Sequence, residues 1–306
     1  MTKIKIVGVG GAGNNTVRYM LNNGIESEYV SAYTTFLEKN DLEYPNYKEV
    51  AIGAKITKGF GAGGDPQIGE LAAEECKEEI AEAIEGADII FITCGEGGGT
   101  GTGAAPVIAR IAKEMGMLTV GVVTKPFSFE GGRRMRYALA GIEKLSANVD
   151  SLLVISNNRI LELIDEHVSL ADALRMSDSI LIQALTGLID IFTNSDLVRL
   201  DSADVVSAMR EKGQARIGIG SAKGDHRALK AIEAAANNRL LDVDIKKADD
   251  IILFLKGDIN IGDLETAADY LNDVVGQDVN VLLGMHYDES ATDECSIVLI
   301  ATGIKG

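Results

Sequence analysis

The sequence predicts an α/β protein in which a doubly wound parallel sheet is followed by a long central helix and a smaller mixed α/β domain. Three observations support this fold class. In the first half of the chain, short apolar runs alternate with helix-like segments, an order typical of a parallel sheet covered by helices on both faces. Two glycine-rich segments directly follow apolar runs, where such sheets bind ligands. The 306 residues, 46% of them hydrophobic, suffice for two domains with large cores.

The first part of the chain alternates five predicted strands with four predicted helices. The opening strand alternates lysine with isoleucine before a glycine-rich turn, and residues 87–94 form an apolar run. The second predicted helix carries an apolar stripe with acidic residues on its outer side, as expected of a helix packed on a sheet. The strands are expected at 3–7, 28–33, 88–94, 117–123 and 151–155, and the helices at 14–22, 69–84, 104–115 and 132–147.

A long apolar segment, residues 169–193, is predicted to form the central helix. Its apolar residues fall on more than one face, which indicates a helix buried on both sides, as a spine between two domains would be. The sequence therefore predicts a domain over 1–168, the helix over 169–193 and a C-terminal domain over 194–306. Within the last part, helices are expected at 202–212, 227–238 and 262–275, and strands at 215–221, 250–256, 279–286 and 295–302.

The most informative segment is 97–103, which contains five glycines and two threonines directly after a predicted strand. A backbone of this kind between a strand and a helix forms a concave surface whose N–H groups and hydroxyls face an anion. Glycine permits close approach of the ligand, and several of these positions are expected to need positive φ. A flexible linker is the alternative, but linkers do not connect a buried strand to a helix. The segment is therefore predicted to bind phosphate, with the helix resuming near Pro106.

A second glycine cluster, residues 8–15, joins the first predicted strand to the first helix. It satisfies the G-x-G-x-x-G fingerprint of dinucleotide-binding proteins, which on its own is a weak signal. That interpretation also requires an acidic residue at the end of the second strand, where this chain has Thr34-Thr35-Phe36. Two phosphate-binding segments instead suggest a nucleoside triphosphate held from two sides. An NAD(P)-dependent oxidoreductase remains the alternative from another functional class.

The composition limits the remaining possibilities. A formal net charge of −17 argues against nucleic acid and against direct binding or insertion at an anionic membrane. A triphosphate bound to so acidic a protein needs a counter-ion, which makes Mg²⁺ the expected cofactor. Three cysteines far apart in sequence indicate reduced thiols in a cytoplasm, and the three histidines lack ligand-like spacing, so no metal site built from side chains is expected. The N-terminus runs directly into a strand, without a signal peptide.

Four segments carry a family resemblance: GVGGAGNN (8–15), KGFGAGGDP (58–66), GGGTGTGAAP (97–106) and TVGVVTKPFSFEG (119–131). Together they resemble the bacterial tubulin-like cell-division GTPase family, FtsZ, and the resemblance extends from Ile4 to Gly303. It implies a cytoplasmic protein that binds GTP or GDP with Mg²⁺, forms head-to-tail filaments with itself and hydrolyses GTP at subunit interfaces. It also implies action at the division site, together with other division proteins.

The resemblance implies which residues contact the nucleotide. For guanine recognition the chemistry is sensible, because a carboxylate accepts from both the ring N1–H and the exocyclic amine of guanine. A solvent-facing acid is the alternative for Asp178. The implied GTP-binding residues are Gly11, Ala12, Gly13, Asn14 and Asn15 at the α-phosphate and guanine edge; Gly98, Gly99, Thr100, Gly101 and Thr102 at the β- and γ-phosphates; Gly61, Ala62, Gly63 and Gly64 around the γ-phosphate; Glu130 and Arg134 near the ribose; and Asn157, Leu174 and Asp178 at the base.

The implied catalytic residues lie in a loop over 198–204. Asp201 and Asp204 precede and open a predicted helix, and an acid at such a position is also an ordinary helix cap. In the family, however, two acids of this loop enter the nucleotide site of the next subunit and polarise the attacking water. The resemblance therefore implies a site completed in trans by Asp201 and Asp204.

Three departures from the family pattern suggest a divergent or specialised member. The family's Asn-Thr-Asp run after the second strand is Tyr33-Thr34-Thr35 here, so one carboxylate near the phosphates is missing. Leu174 replaces the phenylalanine that covers the base, and Arg199 replaces an asparagine that reaches the neighbouring nucleotide. Arg199 could act as a trans finger on the γ-phosphate, as a static clamp, or as a surface residue, and we favour the clamp. A nucleotide-binding scaffold filament with poor turnover is thus an alternative function.

Overall fold

The chain divides inside its longest helix into two units, residues 1–185 and 186–306. The computed structural model describes residues 2–39, 42–161, 168–193, 198–238, 245–275 and 279–304. The division falls within the segment that the sequence predicts as a separate central helix, and the three-part organisation stays a prediction.

The first unit contains a six-stranded, fully parallel sheet in the order β3-β2-β1-β4-β5-β6. The strand order runs outward in opposite directions from β1 and β4, so the switch point of the sheet lies between these two strands. Ligands of open α/β sheets bind at this point, beyond the carboxyl ends of the strands. The strands are β1 (Ile4–Val9), β2 (Glu28–Tyr33), β3 (Tyr47–Ala51), β4 (Ile89–Gly95), β5 (Leu118–Lys125) and β6 (Ser151–Ser156).

The helices of this unit alternate with the strands, as the sequence predicts. β1 and β4 are buried along almost their whole length, as expected of parallel strands covered on both faces. The helices are α1 (Gly10–Asn22), α2 (Ala54–Thr57), α3 (Pro66–Glu75), α4 (Lys77–Ile84), α5 (Thr100–Glu114), α6 (Gly132–Ser146), α7 (Asn157–Leu161) and the first part of α8 (Leu170–Thr193), with 3₁₀ turns at Phe36–Glu38 and Ser128–Glu130.

Several predicted boundaries are wrong. The expected helix over 69–84 is two helices broken at Cys76, whose thiol accepts the N–H of Gly53 at 3.4 Å. The helix expected from 104 begins at Thr100, so Pro106 lies within it. Strand β3 and the short helices α2 and α7 were not predicted, because β3 is an edge strand with alternating exposure and the two helices are too short to show a period.

Helices α3 and α5 approach each other through glycine. A Cβ atom on Gly69 would overlap the carbonyl oxygen of Gly99, and one on Gly103 would overlap the carbonyl oxygen of Pro66. Such contacts leave no room for a side chain at either position. Since α3 follows the loop over 58–64 and α5 follows the loop over 95–99, the contact fixes these two glycine-rich loops relative to each other.

The second unit is a smaller mixed α/β structure, as predicted. Its sheet has the order β7-β10-β8-β9, in which β10 is antiparallel to β7 and β8, and β9 is parallel to β8. Helix α9 ends at Met209 and not at 212, because Glu211 and Gly213 have positive φ, which a helix cannot continue through. The elements are α9 (Ser202–Met209), β7 (Gly213–Lys223), α10 (Arg227–Ala236), β8 (Asp250–Gly257), α11 (Ile261–Val275), β9 (Asn280–Tyr287) and β10 (Glu294–Thr302), with a 3₁₀ turn at Ile245–Lys247.

Helix α8 is buried on more than one face, as expected from its apolar residues. Ile180, Leu181 and Ile182 point in directions about 100° apart, and all three are buried, as is Ile189. By length and composition α8 could cross a membrane, but half of its most apolar window is buried within the protein. The core helix of a globular unit has the same properties, so the composition of α8 is weak evidence for a membrane span.

Candidate functional site

A pocket lies beyond the carboxyl ends of β1 and β4, at the switch point of the first sheet. Helices α1 and α5 both begin at this pocket, and neither has a side-chain cap or an acidic residue in its first turn. The N–H groups of both first turns therefore lack side-chain acceptors, and the positive ends of two helix dipoles meet at one place. This arrangement binds anions. The pocket is lined by Val9, Gly10, Gly11, Ala12, Thr34, Thr35, Glu38, Gly61, Ala62, Gly63, Gly64, Gly95, Gly98, Gly99, Thr100, Gly101 and Arg134.

The loop over 58–64 forms the third wall of the pocket. Gly61 donates its N–H to the carbonyl of Thr34 at 3.1 Å, and the hydroxyls of Thr34 and Thr100 are 2.6 Å apart. These contacts join the end of β2 to both the loop and the start of α5. Gly63 and Gly64 have positive φ, and within the described structure no atom beyond their chain neighbours lies within 4 Å of where a Cβ would be. The loop therefore presents open backbone toward a ligand.

The glycines of 97–103 have different roles from those expected. Only Gly97 has positive φ in this segment, so the expectation of several such positions is wrong there. A Cβ on Gly98 would make an ordinary contact with the carbonyl oxygen of Gly95 at 3.9 Å, whereas a Cβ on Gly101 would lie only 3.0 Å from the same oxygen. Positive φ is concentrated instead in the loop over 58–64. The 97–103 segment is thus glycine-rich for close packing more than for left-handed backbone.

The pocket lining contains two charged side chains, Arg134 and Glu38. Arg134 forms an ion pair with Glu130 at 3.1 Å, and Glu130 also accepts the N–H of Phe127 at 2.7 Å. The arginine is therefore already partly neutralised. A polyphosphate in this pocket depends mainly on backbone N–H groups and helix dipoles, and on a counter-ion.

Eight of the residues implied as nucleotide ligands are not part of the pocket lining. Four belong to the set implied around the phosphates and the guanine edge, namely Gly13, Asn14, Asn15 and Thr102, and the other four are Glu130, Asn157, Leu174 and Asp178. A Cβ on Gly13 would overlap the carbonyl of Thr93, so Gly13 is needed for packing. The Asn14 amide donates to the carbonyl of Ala32 at 3.5 Å, and Asn15 accepts from Arg18 at 2.7 Å. The Thr102 hydroxyl accepts the N–H of Gly97 at 2.7 Å. Their roles as ligands of GTP stay predictions, beside these structural roles.

The residues implied at the base lie around α7 and α8. Asn157 is buried and accepts a hydrogen bond from the hydroxyl of Ser177 at 2.7 Å, so the α8 segment that carries Asp178 lies against α7. Burial raises the pKa of Asp178 above its ordinary value. Within the described residues this carboxyl has no ion pair, so it is free to accept from N–H donors of a ligand. Leu174, on the preceding turn, is 45% exposed.

Glu96, in the loop over 95–99, was not predicted from the sequence. Its side chain is only 1% exposed, and one carboxyl oxygen has no hydrogen-bond partner in the described part of the chain. A Cβ on Gly141 of α6 would overlap this oxygen. Burial raises the pKa of Glu96 to about 7, although hydrogen bonds from Thr102 and Cys94 act in the opposite direction. The sequence contained one signal for this residue, namely an acidic side chain directly after a predicted buried strand.

The implied catalytic residues lie in the second unit, on an anchored loop. Val198 exchanges backbone hydrogen bonds with Met285, and buried Leu200 packs on Gly284, where a Cβ would lie 2.5 Å from its side chain. Arg199, between these two anchored residues, has an exposed side chain, and so do Asp201 and Asp204, which follow Leu200. Asp201 caps α9, because its carboxylate accepts the N–H of Ala203 at 2.9 Å.

Uncapped helix starts and glycine-rich loops at a sheet switch point define a phosphate-binding protein of the nucleotide-binding α/β class. The chain belongs to the Tubulin/FtsZ family: residues 3–165 match its GTPase domain, and residues 213–305 match the FtsZ C-terminal domain. Members of this family are GTPases that hydrolyse GTP in filaments. The predicted family, fold class and GTPase function are thereby confirmed, and the oxidoreductase alternative has no support.

Solved structures agree with this assignment. An empty FtsZ dimer from M. jannaschii is 39% identical, with a TM-score of 0.93 over 100% of this chain and 89% of that one. The W319Y mutant of FtsZ from the same organism is 40% identical, with a TM-score of 0.92 over 99% and 91%. CetZ2 from Haloferax volcanii, in a GTPγS-bound protofilament, is 22% identical with a TM-score of 0.82 over 99% and 94%, and shows the shared fold.

Proposed function

We propose that this protein binds GTP in the pocket between α1, α5 and the loop over 58–64, and hydrolyses it between copies in a head-to-tail filament. The filament acts in cell division, in the cytoplasm at the division site, together with other division proteins. The observation that carries the proposal is the meeting of two uncapped helix starts at one pocket. Mg²⁺ accompanies the nucleotide, because the only arginine in the pocket lining is already paired with Glu130.

An exposed apolar patch beside the pocket supports assembly through this face. Phe36 is 68% exposed, Leu37 94% and Phe60 88%. Phe36 and Phe60 are on neighbouring segments, since Thr35 and Phe60 form an isolated β-bridge. Exposed apolar patches on proteins commonly mark interaction surfaces. A second copy covering this patch would also approach the nucleotide pocket, as a trans site requires.

The GTPase rate measured against protein concentration tests this proposal. Assembly-dependent hydrolysis predicts a rate per molecule that rises steeply above a threshold concentration. The threshold should fall as salt is raised, because a charge of −17 opposes association at low ionic strength. A constant rate per molecule at all concentrations would contradict a site shared between copies.

A scaffold filament with poor turnover is the second candidate. It is favoured by Thr35, which stands where the family has an acid and whose hydroxyl instead accepts the N–H of Leu37 at 3.4 Å. Pelleting in the presence of GTP without release of phosphate would identify the scaffold. Pelleting together with phosphate release would identify the GTPase.

Asp178→Ala is expected to weaken GTP binding by about 10- to 150-fold, which corresponds to roughly 1.5–3 kcal/mol for a charge-assisted hydrogen bond. Calorimetric titration with GTP, ATP and inosine triphosphate, which lacks the exocyclic amine, measures the selectivity. Asp172→Ala is the matched control, since this acid is exposed on the same helix and pairs with Arg175. Equal affinity of the wild type for ATP and GTP would refute the assignment.

Arg199→Ala tests the clamp. Arg199 is exposed and has no ion-pair partner in the described residues, so its guanidinium is available to a neighbouring copy. The variant is expected to raise the concentration needed for assembly, while turnover per assembled subunit changes by less than about tenfold, or 1.4 kcal/mol. Arg210→Ala, an exposed arginine just after α9, is the control. A hundredfold fall in turnover within intact filaments would instead establish a catalytic finger.

A further inference from the structure

Glu38 places a carboxylate in the pocket that the sequence reasoning regarded as lacking one. It lies in the 3₁₀ turn after β2, three residues beyond Thr35. Its side chain reaches the glycine cluster over 8–15, since a Cβ on Gly11 would lie 3.3 Å from its Oε1 atom. Glu38 therefore faces the start of α1, one of the two uncapped helix starts that form the pocket.

The carboxylate of Glu38 lacks a partner in the described structure. Its Oε2 atom is inaccessible to solvent and accepts no hydrogen bond. Among the described residues that line the pocket, Arg134 is the only basic side chain, and it pairs with Glu130. Burial also raises the pKa of Glu38 above its ordinary value, as expected of an acid without a nearby cation.

A carboxylate and a polyphosphate in one pocket repel each other unless a cation lies between them. The described residues contain no cluster of three or more His, Cys, Asp or Glu that could hold a metal alone. A divalent cation here would therefore take most of its ligands from phosphate oxygens and water. Mg²⁺ is commonly bound in this way, through one or two carboxylates together with substrate phosphates.

We propose that Glu38 is the protein carboxylate that holds the divalent cation of the bound nucleotide, directly or through one water molecule. The proposal rests on the proposed binding of GTP in this pocket. Glu38 thus takes over, from a different position in the chain, the charge that Thr35 lacks. A cation bound at Glu38 would also explain why an unpaired acid lies next to an anion-binding helix start.

The effect of Glu38 on nucleotide affinity is expected to depend on whether the divalent cation is present. With the cation present, Glu38 strengthens binding; with the cation removed, the same charge repels the phosphates. Glu38→Gln should therefore weaken binding of a non-hydrolysable GTP analogue in Mg²⁺ and strengthen it in EDTA. The factor by which Mg²⁺ raises nucleotide affinity is expected to fall by about tenfold or more, within the usual range of coupling between sites.

Calorimetric titration of the full chain with the GTP analogue, in Mg²⁺ and in EDTA, measures this factor without any turnover. Glu26→Gln is the matched control, because it removes the same charge at an exposed position before β2. The double variant Glu38→Gln, Thr35→Asp returns a carboxylate to the pocket lining and is expected to restore most of the coupling. Thermal unfolding of each variant checks that the fold is intact.

The outcomes separate the two proposals. An unchanged coupling factor in Glu38→Gln, with normal binding by the wild type, would overturn the role of Glu38 alone. An equal loss of affinity in Mg²⁺ and in EDTA would overturn it too, since Glu38 would then contact the nucleotide itself. A wild type that binds no guanine nucleotide under either condition would overturn the proposed function, and this inference with it.

Discussion

Asp204→Ala is expected to lower GTP turnover in assembled filaments by about 10²- to 10⁴-fold, the usual contribution of a positioned acid or base. Affinity for GTP should stay within about twofold if, as proposed, the acid serves the nucleotide of a neighbouring copy. Asp204 is exposed and lies in the second unit, whereas every residue lining the pocket belongs to the first. Phosphate release and nucleotide titration, each on the same preparation, measure the two quantities.

Asp201 needs a different substitution, because it also caps α9. Asparagine is about as good an N-cap as aspartate, so Asp201→Asn removes the charge and keeps the hydrogen bond to the backbone. A loss of turnover in Asp201→Asn without a change in stability would assign it to catalysis. A loss in Asp201→Ala alone would leave it a helix cap.

Mixing variants tests whether the site is completed in trans. Gly98→Val should obstruct the pocket with little disturbance of the core, since a Cβ on Gly98 meets only an ordinary contact at 3.9 Å, whereas Gly101 is tightly packed. Neither Asp204→Ala nor Gly98→Val alone should turn over GTP, but a mixture forms interfaces with one intact pocket and one intact Asp204. Recovery of phosphate release in the mixture is the expected result. Reduced GTP affinity of Asp204→Ala itself would show that the acid acts within its own subunit or supports the fold.

Glu96→Gln is expected to stabilise the protein at pH 8 by up to about 3 kcal/mol and to change little at pH 4.5. Burial raises the folded-state pKa of Glu96 from 4.5 to about 7. Between these values the folded state holds more protons than the unfolded state, so stability falls as pH rises, and above about pH 7 the full penalty is present. Glutamine removes the charge and therefore the penalty.

Denaturant unfolding at both pH values measures this difference. Glu79→Gln, an exposed acid on α4, is the control and should show no comparable pH dependence. An equal change in the free energy of unfolding at pH 4.5 and pH 8 would show that Glu96 is not held protonated by its surroundings. Because a buried charge without hydrogen-bond partners is costly, replacing Glu96 by the neutral glutamine is expected to stabilise the protein at high pH.

The sequence predicted those parts of the fold that depend on local patterns. Alternating apolar runs and helix-like segments indicated the parallel sheet, and glycine after β1 and β4 indicated the phosphate-binding loops. The start of α5 at Thr100 was not predictable in this way. Glycine and threonine are poor helix formers, and the close packing of Gly103 on α3 is a tertiary contact that no local pattern reports.

The charges of the site were harder to predict for a different reason. Glu38 reaches Gly11 only because the turn after β2 folds over the start of α1, a contact between distant parts of the chain. Glu96 stands among glycines, where no sequence pattern indicates burial, yet α6 covers it. Both depend on tertiary contacts that no period or motif in the sequence reports.

The glycine contact between α3 and α5 also restricts how this protein can respond to the loss of a phosphate. Closely packed backbones resist sliding. The two helices are therefore expected to move together as one rigid body. When the γ-phosphate is lost, the backbone dihedral angles are then expected to change in the segment that bends most easily. The loop over 58–64, with positive φ at Gly59, Gly61, Gly63 and Gly64, is such a hinge. Release of phosphate is thus expected to move Phe60 and its exposed neighbours first, on the face proposed to contact the next subunit.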